Sequence, residues 1–194
     1  MTSMRRLLLT AWLAILPLWL PGATARADGL ALPPGFTDSL VSRPDGLPWN
    51  DAMGATVAAD GRLFVWERAG RVWVVDPKHP HPAPIVDLSR EVGTAGELGL
   101  TGFALDPNFA ANGRLYLFYS VDPGFLASCA SPPSGPPTCH AAGRIGRATA
   151  TTTRITRYTL ARPAGGDLAL ATAVDPASRV VLSSPVPPST VRIT

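Results

Sequence analysis

The chain has 194 residues, 46% hydrophobic and 16% charged, which is enough to build a sizeable buried core. Its formal charge of +3 comes from three arginines in the first 27 residues, and the remaining basic and acidic residues are equal in number at fourteen each. This balance gives no support to nucleic-acid binding or to anionic-membrane binding by the mature protein.

Residues 1–27 predict a secretory signal peptide. Arg5 and Arg6 precede an apolar run over residues 7–20, and small residues at 23–27 offer a cleavage site. The run is short and contains Pro17, so it fits a membrane span poorly, although an uncleaved anchoring helix is the alternative. We therefore expect a mature domain of residues 28–194 that is secreted or periplasmic and is not inserted in a membrane.

Short apolar runs bounded by Gly, Pro, Asp and Asn predict antiparallel strands along the mature chain. Asp60-Gly61 lies between two such runs and is a strong hairpin signal, and residues 96–122 have the pattern of a second hairpin. No segment shows a convincing helical period, so the sequence predicts an all-β protein. The predicted strands are 36–41, 56–59, 62–67, 71–75, 85–88, 98–105, 115–121, 154–160 and 179–182.

Two segments repeat at an offset of 52 residues. DGRLFVWE at residues 60–67 and NGRLYLFY at residues 112–119 share Gly-Arg-Leu and are similar on either side of it. A period near 50 in an all-β sequence is typical of a four-stranded propeller blade. The sequence therefore predicts an incomplete β-propeller of two to three blades, with two unrelated hairpins of a β-sandwich as the alternative.

Residues 122–143 are rich in Pro, Ser and Gly and predict a surface insertion. This segment holds both cysteines, Cys129 and Cys139. In an exported protein, two cysteines in a short loop favour a disulfide over free thiols. Together with His140 they would leave a tetrahedral metal site one ligand short, so we predict no metal site here.

Glu97 is a lone carboxylate between glycines, just before the run 98–105. Because the flanking backbone can bend freely, this charge is a candidate to point into a binding site. The alternative is a solvated loop carboxylate, which is the commoner environment for Glu.

The motif GELGLTGFALDPNF at residues 96–109, followed by NGRLY at residues 112–116, resembles the glucose/sorbosone dehydrogenase family. GFTDSLV at residues 35–41 and the 60–72 hairpin extend this resemblance. It implies a six-bladed propeller that binds pyrroloquinoline quinone and calcium, oxidises an aldose at C1 and passes electrons to an external acceptor. It also implies that Glu97 contacts the sugar or the quinone, although several family members have Gln there.

The catalytic base of that family is a His that begins an H-x-x-G-x-L-x-F-G-x-D-G stretch, and this sequence contains no such stretch. His79, His81 and His140 lie in other contexts, so we assign no catalytic residue. We expect the 194 residues to be a truncated family member that is inactive alone. The alternative function is a non-catalytic extracellular propeller module that binds glycans or proteins, because fold does not decide function.

Overall fold

The computed structural model describes residues 32–139 and 152–183. The predicted signal peptide and His140 lie outside these residues. The chain divides into a unit that ends at Ser39 and a second unit that starts at Leu40, and every helix and strand of the described residues belongs to the second. The strand predicted at 36–41 is wrong: Phe36 and Leu40 are 70% and 95% exposed, and none of the strands that the structure describes pairs with them.

Four strands form the first sheet, and they are paired in chain order in an antiparallel meander. Tight turns join the first three strands. Gly61 and Gly70 occupy these turns with φ angles of 89° and 92°, a left-handed region that glycine adopts at little cost. The Asp60-Gly61 hairpin is therefore confirmed. The strands are β1 (Ala52–Val57), β2 (Leu63–Glu67), β3 (Arg71–Val75) and β4 (Val86–Asp87).

The second sheet is also an antiparallel meander of four strands, but with longer connections. A one-turn helix joins its first two strands, and the predicted insertion separates the second strand from the third. The insertion contains a short helix and a two-stranded hairpin, and none of the helices in the described residues is long and apolar enough to span a membrane. The elements are β5 (Leu100–Leu105), α1 (Phe109–Asn112), β6 (Arg114–Ser120), α2 (Pro123–Ser128), β7 (Cys129–Ala130), β8 (Thr138–Cys139), β9 (Thr153–Leu160), a 3₁₀ helix (Leu168–Leu170) and β10 (Val174–Ser183).

The 52-residue repeat corresponds to equivalent strands of the two sheets. β2 and β6 are each the second strand of a four-stranded meander, and Leu63 and Leu115 each pair with the last residue of the preceding strand. The repeating unit is therefore a whole sheet, as predicted for a propeller blade. The described residues form an all-β structure of two blade-like sheets, which fits an incomplete propeller.

The two sheets pack face to face around one hydrophobic core. Along β6, Leu115, Leu117 and Tyr119 are at most 1% exposed, whereas Phe118 between them is 43% exposed. This alternation places one face of β6 in the core and the other outside. From the first sheet, Phe64 stacks on Phe103 at 5.8 Å between ring centroids, so aromatic contacts join β2 to β5.

Candidate functional site

Glu97 lies in the loop of residues 88–99 that joins β4 to β5. The Leu98 amide donates to the Ala95 carbonyl oxygen at 3.2 Å, and this turn places Gly96 and Glu97 at its apex. The Glu97 side chain is exposed and forms no hydrogen bond with the residues that the structure describes. We call residues 94–99 the Glu97 loop.

Arg68, in the turn between β2 and β3, fixes the Glu97 loop to the first sheet. Its Nη1 donates to the Gly96 carbonyl oxygen at 2.9 Å, and its own carbonyl oxygen accepts from the Leu100 amide at 2.9 Å. Nε and Nη2 of Arg68 donate to the Asp51 carboxylate at 3.2 and 2.8 Å. Arg68 thus binds the loop at Gly96, in its turn, and at Leu100, immediately after it, which limits the positions that Glu97 can take.

The two glycines of the loop meet different structural requirements. Gly96 has a φ of 61°, and a Cβ there would meet no atom within 4 Å. Gly99 has a φ of 152°, and a Cβ there would lie 2.4 Å from Cγ and 2.9 Å from the carbonyl oxygen of Arg68. At position 96 glycine is favoured by the left-handed backbone alone. At position 99 glycine is favoured by its positive φ and also because a side chain would prevent the close approach of the loop to Arg68.

A fully buried carboxylate, Glu67, precedes Arg68 at the same end of the first sheet. Its Oε1 accepts from Arg43 Nη1 at 3.0 Å and from the Asn50 amide at 2.8 Å, and its Oε2 accepts from Trp73 Nε1 at 3.1 Å. The Arg43 guanidinium also lies 4.8 Å from the Trp73 ring centroid. Both carboxylate oxygens of Glu67 already accept hydrogen bonds, so Glu67 is not free for a ligand. Its bonds to Arg43 and Asn50 hold residues 43–50 against the end of the first sheet.

A second buried carboxylate, Glu91, follows β4 and is 3% exposed. Its Oε1 accepts from Tyr119 Oη at 2.7 Å, from Arg179 Nη2 at 3.0 Å and from Arg154 Nη1. Burial, and then the charge of Glu91, raise the pKa of Tyr119, so its hydroxyl stays protonated and donates. These contacts join the loop after β4 to three strands of the second sheet.

The insertion covers the two arginines that bind Glu91. Ser131 Oγ accepts from Arg154 Nη1 at 3.0 Å and from Arg179 Nη2 at 2.8 Å. The carbonyl oxygens of Pro132 and Gly135 accept from Arg179 Nη1 at 3.2 and 3.4 Å. Arg179 is fully buried as a result.

Cys129 and Cys139 close the hairpin that carries these covering groups. Their sulfur atoms are 2.07 Å apart and form a disulfide, and the two residues are cross-strand partners in β7 and β8. Both cysteines are thus paired within the insertion, as a structural cross-link.

The two described histidines, His79 and His81, lie at one end of the first sheet, and Glu97 lies at the other end. The loop that follows β3 holds both of them, whereas the Glu97 loop lies at the end where β3 begins. His79 Nδ1 contacts the Asp76 carboxylate at 3.0 Å, and His81 Nδ1 contacts the Ala83 carbonyl oxygen at 2.7 Å. Neither imidazole can act with Glu97. The part of the chain that the structure describes also contains no group of three or more His, Cys, Asp or Glu that could hold a metal ion.

Sequence reasoning missed the five buried charges of the described residues, at positions 62, 67, 91, 154 and 179. One signal was present for Arg154, which shares the inward-facing alternation of β9 with Thr156, Tyr158 and Leu160. A charge at such a position requires a buried partner. No comparable periodic signal marks Glu91, because it lies in a loop.

Residues 48–163 match the family model described as Glucose / Sorbosone dehydrogenase. A solved structure titled "glucose dehydrogenase" is 18% identical, with a TM-score of 0.46, over 70% of this chain and 32% of its own. Another solved structure, "Crystal structure of glucose dehydrogenase", is 18% identical, with a TM-score of 0.42, over 71% of this chain and 33% of its own. The chain spans about a third of the length of these structures. Because the family model matches more than half of the chain, including the Glu97 loop, the chain belongs to the glucose/sorbosone dehydrogenase family.

Proposed function

We propose that this chain supplies the sugar-binding loop of an exported, quinone-dependent sugar dehydrogenase, with Glu97 as the residue that contacts the sugar. Family membership supports the substrate class. The observation that carries the assignment is the geometry of the Glu97 loop, an exposed and uncommitted carboxylate beside the two points, Gly96 and Leu100, that Arg68 binds.

The chemistry of a carboxylate suits this role. An ionised carboxylate accepts charge-assisted hydrogen bonds from hydroxyl groups, and two oxygens can accept from neighbouring hydroxyls of a pyranose. Because Arg68 already fixes the loop, sugar binding does not have to order the backbone around Glu97, which lowers the entropic cost of binding. The part of Glu97 is therefore to bind and orient the sugar.

The described residues do not fit the other groups that such a reaction needs. A bound quinone would supply the hydride acceptor, but Arg68, the cation bonded to the Glu97 loop, is committed to Asp51 and to the Gly96 carbonyl oxygen. Calcium has no ligand cluster in the parts of the chain described. We therefore assign no residue here to the quinone, to calcium or to proton removal, and we expect no sugar oxidation by the 194-residue chain alone.

A chimera tests the role of Glu97 in turnover. Residues 48–163 would replace the matching segment of a longer, active family member, and Glu97→Ala would then be introduced. We expect the KM for glucose to rise about tenfold, because that is the loss from one charge-assisted hydrogen bond of about 1.5 kcal/mol. Thr94→Ala, an exposed change in the same loop, is the matched control and should leave KM unchanged. An unchanged KM in Glu97→Ala would return Glu97 to the role of a solvated loop residue.

Reconstitution tests the statement about the chain alone. The 194-residue protein would be incubated with pyrroloquinoline quinone and calcium, and aldose oxidation would be followed with a reducible dye. We expect no turnover above the protein-free background. Clear turnover would show that the chain contains its own base and cofactor ligands.

A further inference from the structure

Asp51 immediately precedes β1 and has a backbone conformation that few residue types adopt readily. Its φ angle is 53°, and among the residues that the structure describes it is the only one other than glycine with a positive φ. Its carbonyl oxygen accepts from the Arg68 amide at 2.9 Å, which extends the β1–β2 pairing one residue beyond Ala52↔Glu67. A backbone outlier of this kind raises the question of what its side chain does.

The Asp51 side chain binds one edge of the Arg68 guanidinium. Nε and Nη2 both donate to Asp51 Oδ2, at 3.2 and 2.8 Å, and this fixes the plane of the guanidinium. The third nitrogen, Nη1, donates to the Gly96 carbonyl oxygen at 2.9 Å. The Arg68 and Asp51 side chains are 35% and 58% exposed, and ion pairs exposed to this extent add little stability. The pair therefore directs Arg68 more than it stabilises the fold.

Arg68 lies close enough to Glu97 to pair with it. The Gly96 carbonyl belongs to the peptide bond that leads into Glu97, so covalent geometry places the Glu97 Cα within about 6 Å of Arg68 Nη1. Opposite charges at such separations attract each other. The Glu97 side chain is nevertheless exposed and forms no ion pair with the residues that the structure describes. Because Asp51 binds two of the three guanidinium nitrogens and balances their charge, Arg68 gains little by turning to Glu97.

We infer that Asp51 is a positioning residue, which keeps Glu97 free for a ligand by binding the guanidinium that would otherwise pair with it. The inference rests on the proposed function of Glu97 in sugar binding, because a carboxylate paired with Arg68 has fewer lone pairs to offer to hydroxyl groups. Asp51 acts through Arg68 and does not itself contact the sugar. Arg68 thus holds the loop at Gly96 and, when Asp51 releases it, blocks Glu97.

Nuclear magnetic resonance of the full 194-residue chain without sugar tests the release of Arg68. Asp51→Asn removes the charge but keeps the size of the side chain and its tolerance of a left-handed backbone, and Asp51→Gly removes the side chain and keeps the same tolerance. In both variants we expect a nuclear Overhauser contact between the Arg68 and Glu97 side chains that is absent from the native chain. Salt at about 0.5 M should weaken this contact, because it screens an exposed ion pair.

Asp87→Asn is the matched control for these spectra. It breaks another exposed ion pair of the first sheet, in which Arg71 Nε lies 3.3 Å from Asp87 Oδ2 and the two side chains are 33% and 45% exposed. This variant should produce no contact between Arg68 and Glu97. Absence of the contact from both Asp51 variants, or its presence in the control, would overturn the inference.

Titration of the same chain with glucose, followed by the amide signals of the Glu97 loop, tests the consequence for binding. Asp51→Asn should weaken glucose binding about threefold, the factor expected when an exposed ion pair competes for the carboxylate. In a Glu97→Gln background the same change should have no effect, because Gln carries no charge for Arg68 to neutralise. If Asp51 only held the loop in place, Asp51→Asn would weaken binding equally in both backgrounds, and this result would contradict the inference.

The two measurements distinguish this inference from the proposed function. Native chain that does not bind glucose, together with an Arg68–Glu97 contact in the Asp51 variants, would overturn the sugar-binding role of Glu97 and support the role of Asp51. Native chain that binds glucose through Glu97, without that contact in the variants, would support the sugar-binding role and overturn the role of Asp51.

Discussion

Asp106 is the side chain whose ionisation has the clearest structural cause. Its carboxylate accepts from Asn112 Nδ2 at 2.8 Å, from Tyr116 Oη at 2.7 Å and from the Asn108 amide at 2.9 Å. These hydrogen bonds, led by that of Asn112, lower its pKa from 3.8 to about 2. The turn around α1 is therefore held by a charged group.

This shift predicts acid sensitivity. Between about pH 4 and pH 2 the unfolded chain binds a proton at Asp106 that the folded chain does not, so the free energy of unfolding falls as the pH falls through that window. Urea midpoints at pH 4.5, 3 and 2 measure this loss. Asp106→Asn should be less stable than the native chain at pH 4.5 and should approach it at pH 2. Tyr116→Phe, which removes one donor, should show an intermediate slope, and parallel curves for all three proteins would contradict the assignment.

The two glycines of the Glu97 loop provide a matched pair of substitutions. Gly96→Ala should lower the free energy of unfolding by about 1–2 kcal/mol, the cost of a left-handed backbone for an L residue. Gly99→Ala should cost more, about 3 kcal/mol, since its methyl group also overlaps Arg68. Chemical denaturation measures both. Equal losses would mean that the loop moves away from Arg68 to admit the methyl group.

Some site residues can be predicted from their sequence neighbours, and others cannot, because their contacts come from distant parts of the chain. The position of Glu97 follows from a local motif, because the glycines that shape its turn are its sequence neighbours. The partners of Glu91 lie 63 and 88 residues away, at Arg154 and Arg179. No local pattern encodes contacts at that separation, so the buried cluster becomes visible only once the sheets are assembled.

Among the strands, those with an apolar run or a regular alternation were predicted best. β3 has the predicted bounds, and β9 begins one residue before the predicted start. By contrast, β10 begins at Val174 and not at the predicted residue 179. Its first half is exposed and irregular in register, so that half contains no apolar run that a sequence pattern could detect.

The β7–β8 hairpin protects the outer edge of the second sheet. The Val181 amide donates to the Pro133 carbonyl oxygen at 2.7 Å, and the Gly135 amide donates to the Arg179 carbonyl oxygen at 2.8 Å. The loop between the cysteines thus pairs with β10 and satisfies backbone groups that an edge strand would otherwise expose.

Removal of the disulfide should loosen this edge. For the double variant Cys129→Ser and Cys139→Ser we expect a loss of about 3 kcal/mol, the value for a short cross-linked loop, together with faster hydrogen exchange of the Val181 amide. The amides of β2 serve as the internal reference, because β2 lies in the other sheet. Unchanged exchange at Val181 would show that the hairpin holds β10 without the cross-link.

At the scale of the molecule, the 52-residue offset was enough to predict two equivalent four-stranded sheets. The packing between them was not predictable in detail, because it depends on which face of each strand turns inward. Phe118 illustrates this: it lies in an apolar run with its neighbours, yet it is 43% exposed on the outer face of the second sheet. Ile155 on β9, which is the cross-strand partner of Phe118, is 36% exposed on the same face.

This outer face predicts self-association of the chain. An exposed aromatic and aliphatic pair on a sheet face favours burial against another surface. Phe118→Lys should reduce the concentration dependence of the sedimentation coefficient, whereas Leu47→Lys, which changes an exposed leucine away from this sheet, should not. Equal effects of the two changes would assign the association to general surface hydrophobicity.

The connection between β6 and β9, which contains the insertion, can vary in length without changing the pairing of these two strands. β6 and β9 pair without a gap from Ser120↔Thr153 to Arg114↔Thr159, so this pairing needs none of the 32 residues that lie between the two strands in the sequence. Replacing them with a four-residue turn would lower the entropic cost of closure by about 2 kcal/mol and speed the pairing. The same deletion would remove Ser131 and the Pro132 carbonyl from the two buried guanidinium groups. We therefore expect relatives with a short β6–β9 connection to lack arginine at both 154 and 179, so that connection length and buried charge vary together.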